Sequence, residues 1–280
     1  MKDFFLERKP QVSQYSYGVQ QSGITYPPPT GYPLGTNLAF KLCTRLGIPI
    51  LAAVSRRDWR GSSNIPQSGP AIAASNHLSY ADAFFLAQFL YLNGRAPRFI
   101  GKKSVFEIPI IGKILYRAGQ IPVDRETGDA RAALDQAVVA LEAGHLIALY
   151  PEGTLTRDEN LWPMVGKTGV ARLAILTRAP IIPIAAWGTQ RVLPRYGKWV
   201  HLWPRSKVTY HAGSPLDLSP WYGRVEDPLA LVEATAFVMK ALTEMLEEIR
   251  QEKAPNIPFD PRASGVPRIG NFKKRRAKKV

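Results

Sequence analysis

Short apolar runs alternate with helix-period segments through the middle of this 280-residue chain. Runs rich in Ile, Val, Leu and Ala at 71–75, 97–101, 121–123, 146–150, 181–186 and 207–213 predict strands. Between several of them, apolar residues recur at helical spacing over 83–92, 111–117, 127–143 and 169–176. Strands interleaved with helices predict an α/β fold with a mainly parallel sheet flanked by helices. A last helix is predicted over 228–250, where Leu231, Val238, Leu242, Met245 and Ile249 keep the spacing, Asp227 is the N-cap and Pro228 opens the first turn.

The ends have a different texture. Residues 1–36 are rich in Pro, Tyr, Gln, Ser and Gly, with Pro27-Pro28-Pro29 in the middle, and predict an irregular lead. The start, MKDFFLERKP, lacks the basic-then-apolar layout of a secretory signal. Segment 37–55 is the chain's most apolar stretch, yet Lys41 and Arg45 interrupt it, and Gly47 and Pro49 are expected to break it. Over 38–46 one helix face is apolar and the other basic. That is the layout of an amphipathic helix docked in a membrane interface, or of one packed on its own core. No run of 18 apolar residues exists, so no spanning helix is expected. A polar stretch, 56–69, opens a predicted α/β domain over 56–252. Residues 253–280 turn Pro-rich and then basic and predict a flexible tail.

The charge sharpens this picture. The net charge is +15, from 37 basic and 22 acidic residues. Arg268, Lys273, Lys274, Arg275, Arg276, Lys278 and Lys279 stand in the tail with no acid among them. Such a balance points to a polyanionic partner: an anionic membrane surface, nucleic acid or a phosphorylated substrate. The single cysteine, Cys43, excludes an intrachain disulfide framework or thiolate metal cluster. The histidines show no metal-binding pattern, so no metal site is expected.

Candidate chemistry begins at NHLSYAD, 76–82, where a strand gives way to a helix. His77 and Asp82 stand five apart, which on one helix would set them on different faces. His77 is therefore expected just before the helix, with Asp82 in its first turn reaching back. A carboxylate on one ring nitrogen would fix the tautomer of a general base at the other; alternatively, Asp82 simply supports the helix N-terminus. GQIPVDR, 119–125, delivers Arg125 to a strand end, as a phosphate ligand or as a partner of Asp124 or Glu126. YPEGTLTR, 150–157, sets Glu152, Gly153 and Thr154 at a strand's C-terminal edge, where α/β sheets place ligands. APIIPIA, 179–185, reads as an edge strand or a pocket wall.

In this order, NHLSYAD, GQIPVDR, YPEGT and APIIPI resemble the four motifs of the glycerophospholipid acyltransferases, most closely the 1-acyl-sn-glycerol-3-phosphate acyltransferases. The likeness covers about 56–215. It implies transfer of a fatty acyl group from acyl-CoA or acyl carrier protein to a lysophospholipid hydroxyl at the cytoplasmic face of a membrane, with no cofactor. By the same resemblance His77 is the general base and Asp82 orients it. Arg125 holds the acceptor phosphate, with Gly119 shaping that turn, and Glu152, Gly153 and Thr154 complete the acceptor site. Lys102, Lys103, Arg157 and Lys167 are further phosphate ligands, and Pro180 and Pro183 line the acyl or thioester pocket. No acyl-enzyme is implied, because no nucleophilic Ser or Cys is matched. Tyr150 and Leu155 depart from the family's commoner residues and bear on acceptor choice. Other lysophospholipids, glycerol 3-phosphate or a lipid alcohol remain alternative acceptors.

Two rival patterns fail. GKT at 166–168 lacks the first glycine of a phosphate-binding loop, and no G-x-S-x-G is present. A nucleic-acid-binding role would rest on the tail, which lacks interleaved aromatics apart from Phe272, so no nucleic-acid partner is expected.

Overall fold

The computed structural model describes residues 26–124 and 130–265. The strands are β1 Ser55–Arg60, β2 Ala71–Ser75, β3 Pro97–Lys102, β4 Ile121–Val123, β5 Leu146–Leu149, β6 Ile181–Trp187 and β7 Ser206–Ala212. They form one sheet in the order β1-β7-β6-β2-β5-β3-β4. All neighbours are parallel except β6 and β7. The helices are α1 Leu38–Val54, α2 Asp82–Leu92, α3 Lys103–Phe106, α4 Ile111–Arg117, α5 Ala130–Glu142, α6 Gly169–Thr177, α7 Thr189–Val192 and α8 Pro228–Arg250.

Alternation along the buried strands feeds two cores. Ile72, Ala74, Ile147, Leu149 and Ile181 pack with Ala137 and Leu141 of α5, Leu173 of α6, and Val238 and Leu242 of α8. Ala71, Ala73, Leu146, Ala148, Ile182 and Ile184 face the other way, onto Phe85, Leu86 and Phe89 of α2. Both faces of the sheet are covered, which is why its central strands read as unbroken apolar runs.

The structure departs from the sequence expectations in three places. The polar stretch after residue 55 contributes β1, an edge strand paired with β7 from Ser55↔Ser206 to Arg60↔His211. Asp58 joins it to β7 through Lys207 at 3.0 Å. Charged edge strands discourage pairing with other chains, so they carry little apolar signal. Second, α1 is not broken at Gly47 or Pro49. Asn37 caps it, its Oδ1 accepting Phe40 N–H at 2.9 Å. Pro49 stands on an exposed side, where solvent can serve the carbonyl it leaves unbonded. Phe40 and Val54 are buried, whereas Leu38, Leu42, Leu46 and Ile50 are 74, 54, 72 and 63% exposed. Among the described residues no helix is long and apolar enough to cross a membrane. Third, the chain does not leave the body at residue 253: it turns back, and Val165 N–H donates to Phe259 O at 3.0 Å. The Pro/Tyr-rich lead to residue 25 and the basic run from 268 lie outside the described residues.

Candidate active site

β2 lies at the centre of the sheet, and its C-terminal end carries the candidate base. Past Ser75, Asn76 extends the ladder with its side chain. Its Nδ2 donates to Ala186 O at 3.0 Å, and its Oδ1 accepts Ala186 N–H at 2.7 Å. His77 is thereby fixed at the open edge of the sheet. Its main chain is pinned on both sides: His77 N–H donates to Glu152 Oε1 at 2.9 Å, and His77 O accepts Thr156 N–H at 2.7 Å.

The ring is held as tightly. His77 Nδ1 lies 2.8 Å from Asp82 Oδ2, and Asp82 is the first residue of α2. The same carboxylate oxygen accepts Leu78 N–H at 2.6 Å and Ser79 N–H at 2.8 Å. A carboxylate only accepts, so Nδ1 carries the proton and Nε2 keeps its lone pair. The Asp82 side chain is fully buried while that of His77 is 16% exposed, so the accessible part of the pair is the imidazole. Tyr150 stacks on the imidazole, with ring centres 3.9 Å apart and planes 11° apart.

The hydroxyl of Tyr150 is buried without a hydrogen-bond partner, and burial holds its pKa well above the ordinary tyrosine value. A buried unpaired hydroxyl is a cost. Tyr150→Phe keeps the ring and is expected to stabilise the protein by about 1 kcal/mol, raising Tm by about 2 °C with activity retained, as calorimetry and an activity assay would test.

Glu152 is 1% exposed. Its other oxygen, Oε2, accepts Met164 N–H at 3.3 Å, so both oxygens face the protein rather than an incoming ligand. Burial pushes its pKa up to about 8, prevailing over the backbone N–H donors of His77 and Met164, which favour the ionised form. The folded protein thus binds this proton more tightly than the unfolded chain does. That stabilisation is complete below the ordinary glutamate range near 4.5 and is lost as pH rises through about 8. Wild-type Tm should therefore fall between about pH 5 and pH 8, and Glu152→Gln should flatten that fall. Parallel pH-dependent slopes for the two proteins would contradict it.

The remaining predicted residues separate into groups. Thr154, Arg157 and Lys167 line, with Glu152, a small open pocket. Gly153 has φ +69°, and a Cβ there would meet the Lys167 side chain at 2.9 Å. Its own N–H is taken by Tyr150 O at 2.8 Å, which removes it as an oxyanion donor. Lys102 ends β3 and Lys103 begins α3, where Lys103 Nζ lies 3.8 Å from Asp124 Oδ2 at the end of β4. Both belong to the sheet edge that carries His77, two strands along. Arg125 lies outside the described residues.

Gly119 and the two prolines have structural reasons of their own. A Cβ on Gly119 would meet the Arg98 guanidinium at 2.6 Å. Arg98 is itself buried, donating to Ala118 O and Gly35 O. Pro183 is buried inside β6, opposite Ala74. Pro180 precedes that strand, its carbonyl accepting Ile72 N–H at 2.9 Å. Since β6 runs parallel to β2, Pro180 stands at the end of the sheet away from His77. β6 is an interior strand, so an edge-strand reading of this motif does not hold.

The family model described as Acyltransferase matches residues 56–187, from β1 to the last residue of β6. Over that stretch, just under half of its length, the chain resembles this family. Among curated relatives, the chloroplastic 1-acyl-sn-glycerol-3-phosphate acyltransferase of Brassica napus is 32% identical over 143 residues, covering 50% of this chain and 39% of that protein. The 1-acyl-sn-glycerol-3-phosphate acyltransferase of Bacillus subtilis is 24% identical over 216 residues, covering 76% and 98%. The chain thus spans about two fifths of the Brassica protein and nearly all of the Bacillus one. In three dimensions the fold matches the crystal structure of the 1-acyl-sn-glycerophosphate acyltransferase from Thermotoga maritima. The TM-score is 0.60, identity is 22%, and coverage is 77% of this chain and 81% of that one.

Several residues of this site carry no signal of their own in the sequence. Asn76 mimics a strand residue with a side chain. Arg195, far downstream of the Glu152 turn, donates to Thr156 O and Asp158 O, each at 2.7 Å. Asp260, Pro261 and Arg262, from the expected tail, line the pocket beside Glu152.

Proposed function

We propose that the protein transfers a fatty acyl group from a thioester, acyl-CoA or acyl carrier protein, to the free hydroxyl of 1-acyl-sn-glycerol 3-phosphate, giving phosphatidic acid. The observation that carries this reading is the 2.8 Å His77–Asp82 contact at the open edge of the sheet, which occupies Nδ1 and leaves Nε2 to act on a substrate. In this reading Nε2 takes the proton of the acceptor hydroxyl as its oxygen attacks the thioester carbonyl. The C–O bond forms, the tetrahedral intermediate collapses, the C–S bond breaks, and the proton passes from the imidazolium to the departing thiol. Asp82 stabilises the imidazolium between those two transfers. Glu152 acts at one remove, as a positioning residue that holds the main chain of His77. Arg125, Lys102, Lys103, Arg157 and Lys167 supply the positive charge that a phosphorylated acceptor and donor require.

The test is product analysis by mass spectrometry after incubating purified protein with acyl-CoA and, separately, lysophosphatidic acid, lysophosphatidylcholine and glycerol 3-phosphate. Phosphatidic acid from the first alone is the expected result. Transfer to another of these acceptors would keep the chemistry and change the substrate, and transfer to none of them would sink the reading.

Acceptor and product both reside in bilayers, so the protein is proposed to work at the cytoplasmic face of the cell membrane as a peripheral or monotopic protein. The outward-facing Leu38, Leu42, Leu46 and Ile50 of α1, with Lys41 and Arg45 beside them, support this. Leu42→Glu with Leu46→Glu should abolish flotation with anionic vesicles. Flotation equal to wild type would remove α1 from the docking surface.

A further inference from the structure

Between α7 and β7 runs a loop, 193–205, that the catalytic reading does not use. Its tip exposes Trp199 and Trp203, each 83%, with Leu202 at 64% and Val200 at 48%. Indoles in water at this level are uncommon in a soluble monomer, and several apolar residues together mark an interaction surface. The segment itself is one-signed, although Lys207 is paired across the sheet with Asp58. From 160 to 216 the chain has no Asp or Glu, and Arg191, Arg195, Lys198, Arg205 and Lys207 flank the tip.

The loop has two roots. At one, Leu193 O accepts Ser79 Oγ–H at 2.6 Å, two residues from His77, and Arg195 bonds Thr156 O and Asp158 O beyond the Glu152 turn. Tyr196 meets the half-exposed Tyr80 edge-on, with ring centres 6.3 Å apart. At the other root, Arg205 Nη2 donates to Ala52 O at 2.5 Å and Ser55 O at 2.6 Å, at the C-terminal end of α1. The loop therefore joins the mouth of the His77 site to the helix whose apolar stripe faces outward.

We propose that the tip of this loop, Lys198 to Trp203, is a second interfacial anchor, seated in the headgroup layer of an anionic bilayer and holding the His77 opening against it. Tryptophan suits that layer, its ring being apolar and its N–H polar, and the flanking cations meet anionic lipid. The inference rests on the membrane reading above and adds a contact that α1 does not supply. A loop tied to Ser79 and Thr156 gives the body a second point of contact near the site, which one helix alone does not supply.

The experiment uses the full chain with vesicles of phosphatidylcholine, with and without phosphatidylglycerol, and compares wild type, W199A/W203A and L42E/L46E. The tryptophan variant should bind the anionic vesicles about tenfold or more weakly than wild type. Its Tm and its turnover of a short-chain, monomeric lysophosphatidic acid should be unchanged. Wild-type tryptophan emission should shift to the blue on vesicles and be quenched by brominated lipid, with both effects reduced in that variant. If W199A/W203A binds as wild type does while L42E/L46E does not, the loop is no anchor and the membrane reading survives. If wild type ignores vesicles, both fall. If the variant keeps vesicle binding and loses binding to acyl carrier protein, the surface belongs to a protein donor and the proposal is overturned.

Discussion

His77→Ala is expected to lower the rate of acyl transfer by ~10²–10⁴-fold, the usual worth of a positioned general base. The loss should fall on kcat, with KM for the acceptor little changed, because Nε2 acts on a proton that moves only in the transition state. Folding should survive. The contributions of His77 to the fold are made by its main chain, through Glu152 and Thr156, and alanine keeps both. The side chain itself gives up only the Tyr150 stack and the Asp82 contact. A circular dichroism spectrum like wild type, with the activity loss measured on the same sample, would separate chemistry from unfolding.

Asp82→Asn should lower turnover by a comparable ~10²–10⁴-fold, since a neutral partner no longer stabilises the imidazolium. Its effect on stability should be of the opposite kind. The amide oxygen can occupy the Oδ2 position and accept from Nδ1, Leu78 N–H and Ser79 N–H, as the carboxylate does. The amide nitrogen would enter the Oδ1 position, which is buried and has no partner. One unpartnered polar atom is exchanged for another while a buried charge is removed, so Tm should hold or rise. Asp82→Ala lacks the oxygens altogether and leaves two backbone donors unmet, at a cost of about 1–3 kcal/mol. An inactive, stable D82N beside an inactive, destabilised D82A is the expected pattern. Equal losses of Tm would make Asp82 a structural cap rather than a partner of the base.

The sheet was legible because its interior strands are apolar on both faces, and 71–75 matches to the residue; β4, at the far edge, matches at 121–123 because Ile121 and Val123 are buried. The edge strand β1 was not, since SRRDWR meets solvent on most of its length and has no apolar period. The Pro180–Pro183 motif reads from sequence as a site feature or an edge. In the fold it is an interior strand, where Gly213 N–H donates to Pro183 O at 2.8 Å and keeps the ladder closed beside the ring. Spacing placed His77 just before the helix and Asp82 in its first turn but left open whether Asp82 only supports the helix N-terminus; the 2.8 Å contact decides between them. The main-chain role of Glu152 was not, since nothing in EGT says that its carboxyl turns inward. The pocket wall from Asp260 to Arg262 was hidden for a simpler reason: a Pro-rich stretch leading to a basic run has the composition of a tail whether or not a backbone bond pins it.

The account turns on direct transfer, with His77 as base and no acyl-enzyme. The most direct test is thiol release from acyl-CoA by the purified protein at micromolar concentration, followed with and without lysophosphatidic acid. The account predicts release only when the acceptor is present, one thiol for each phosphatidic acid formed, with no early burst. A burst equal to the enzyme concentration in the absence of acceptor would contradict it, because the acyl group would then have to rest on the protein.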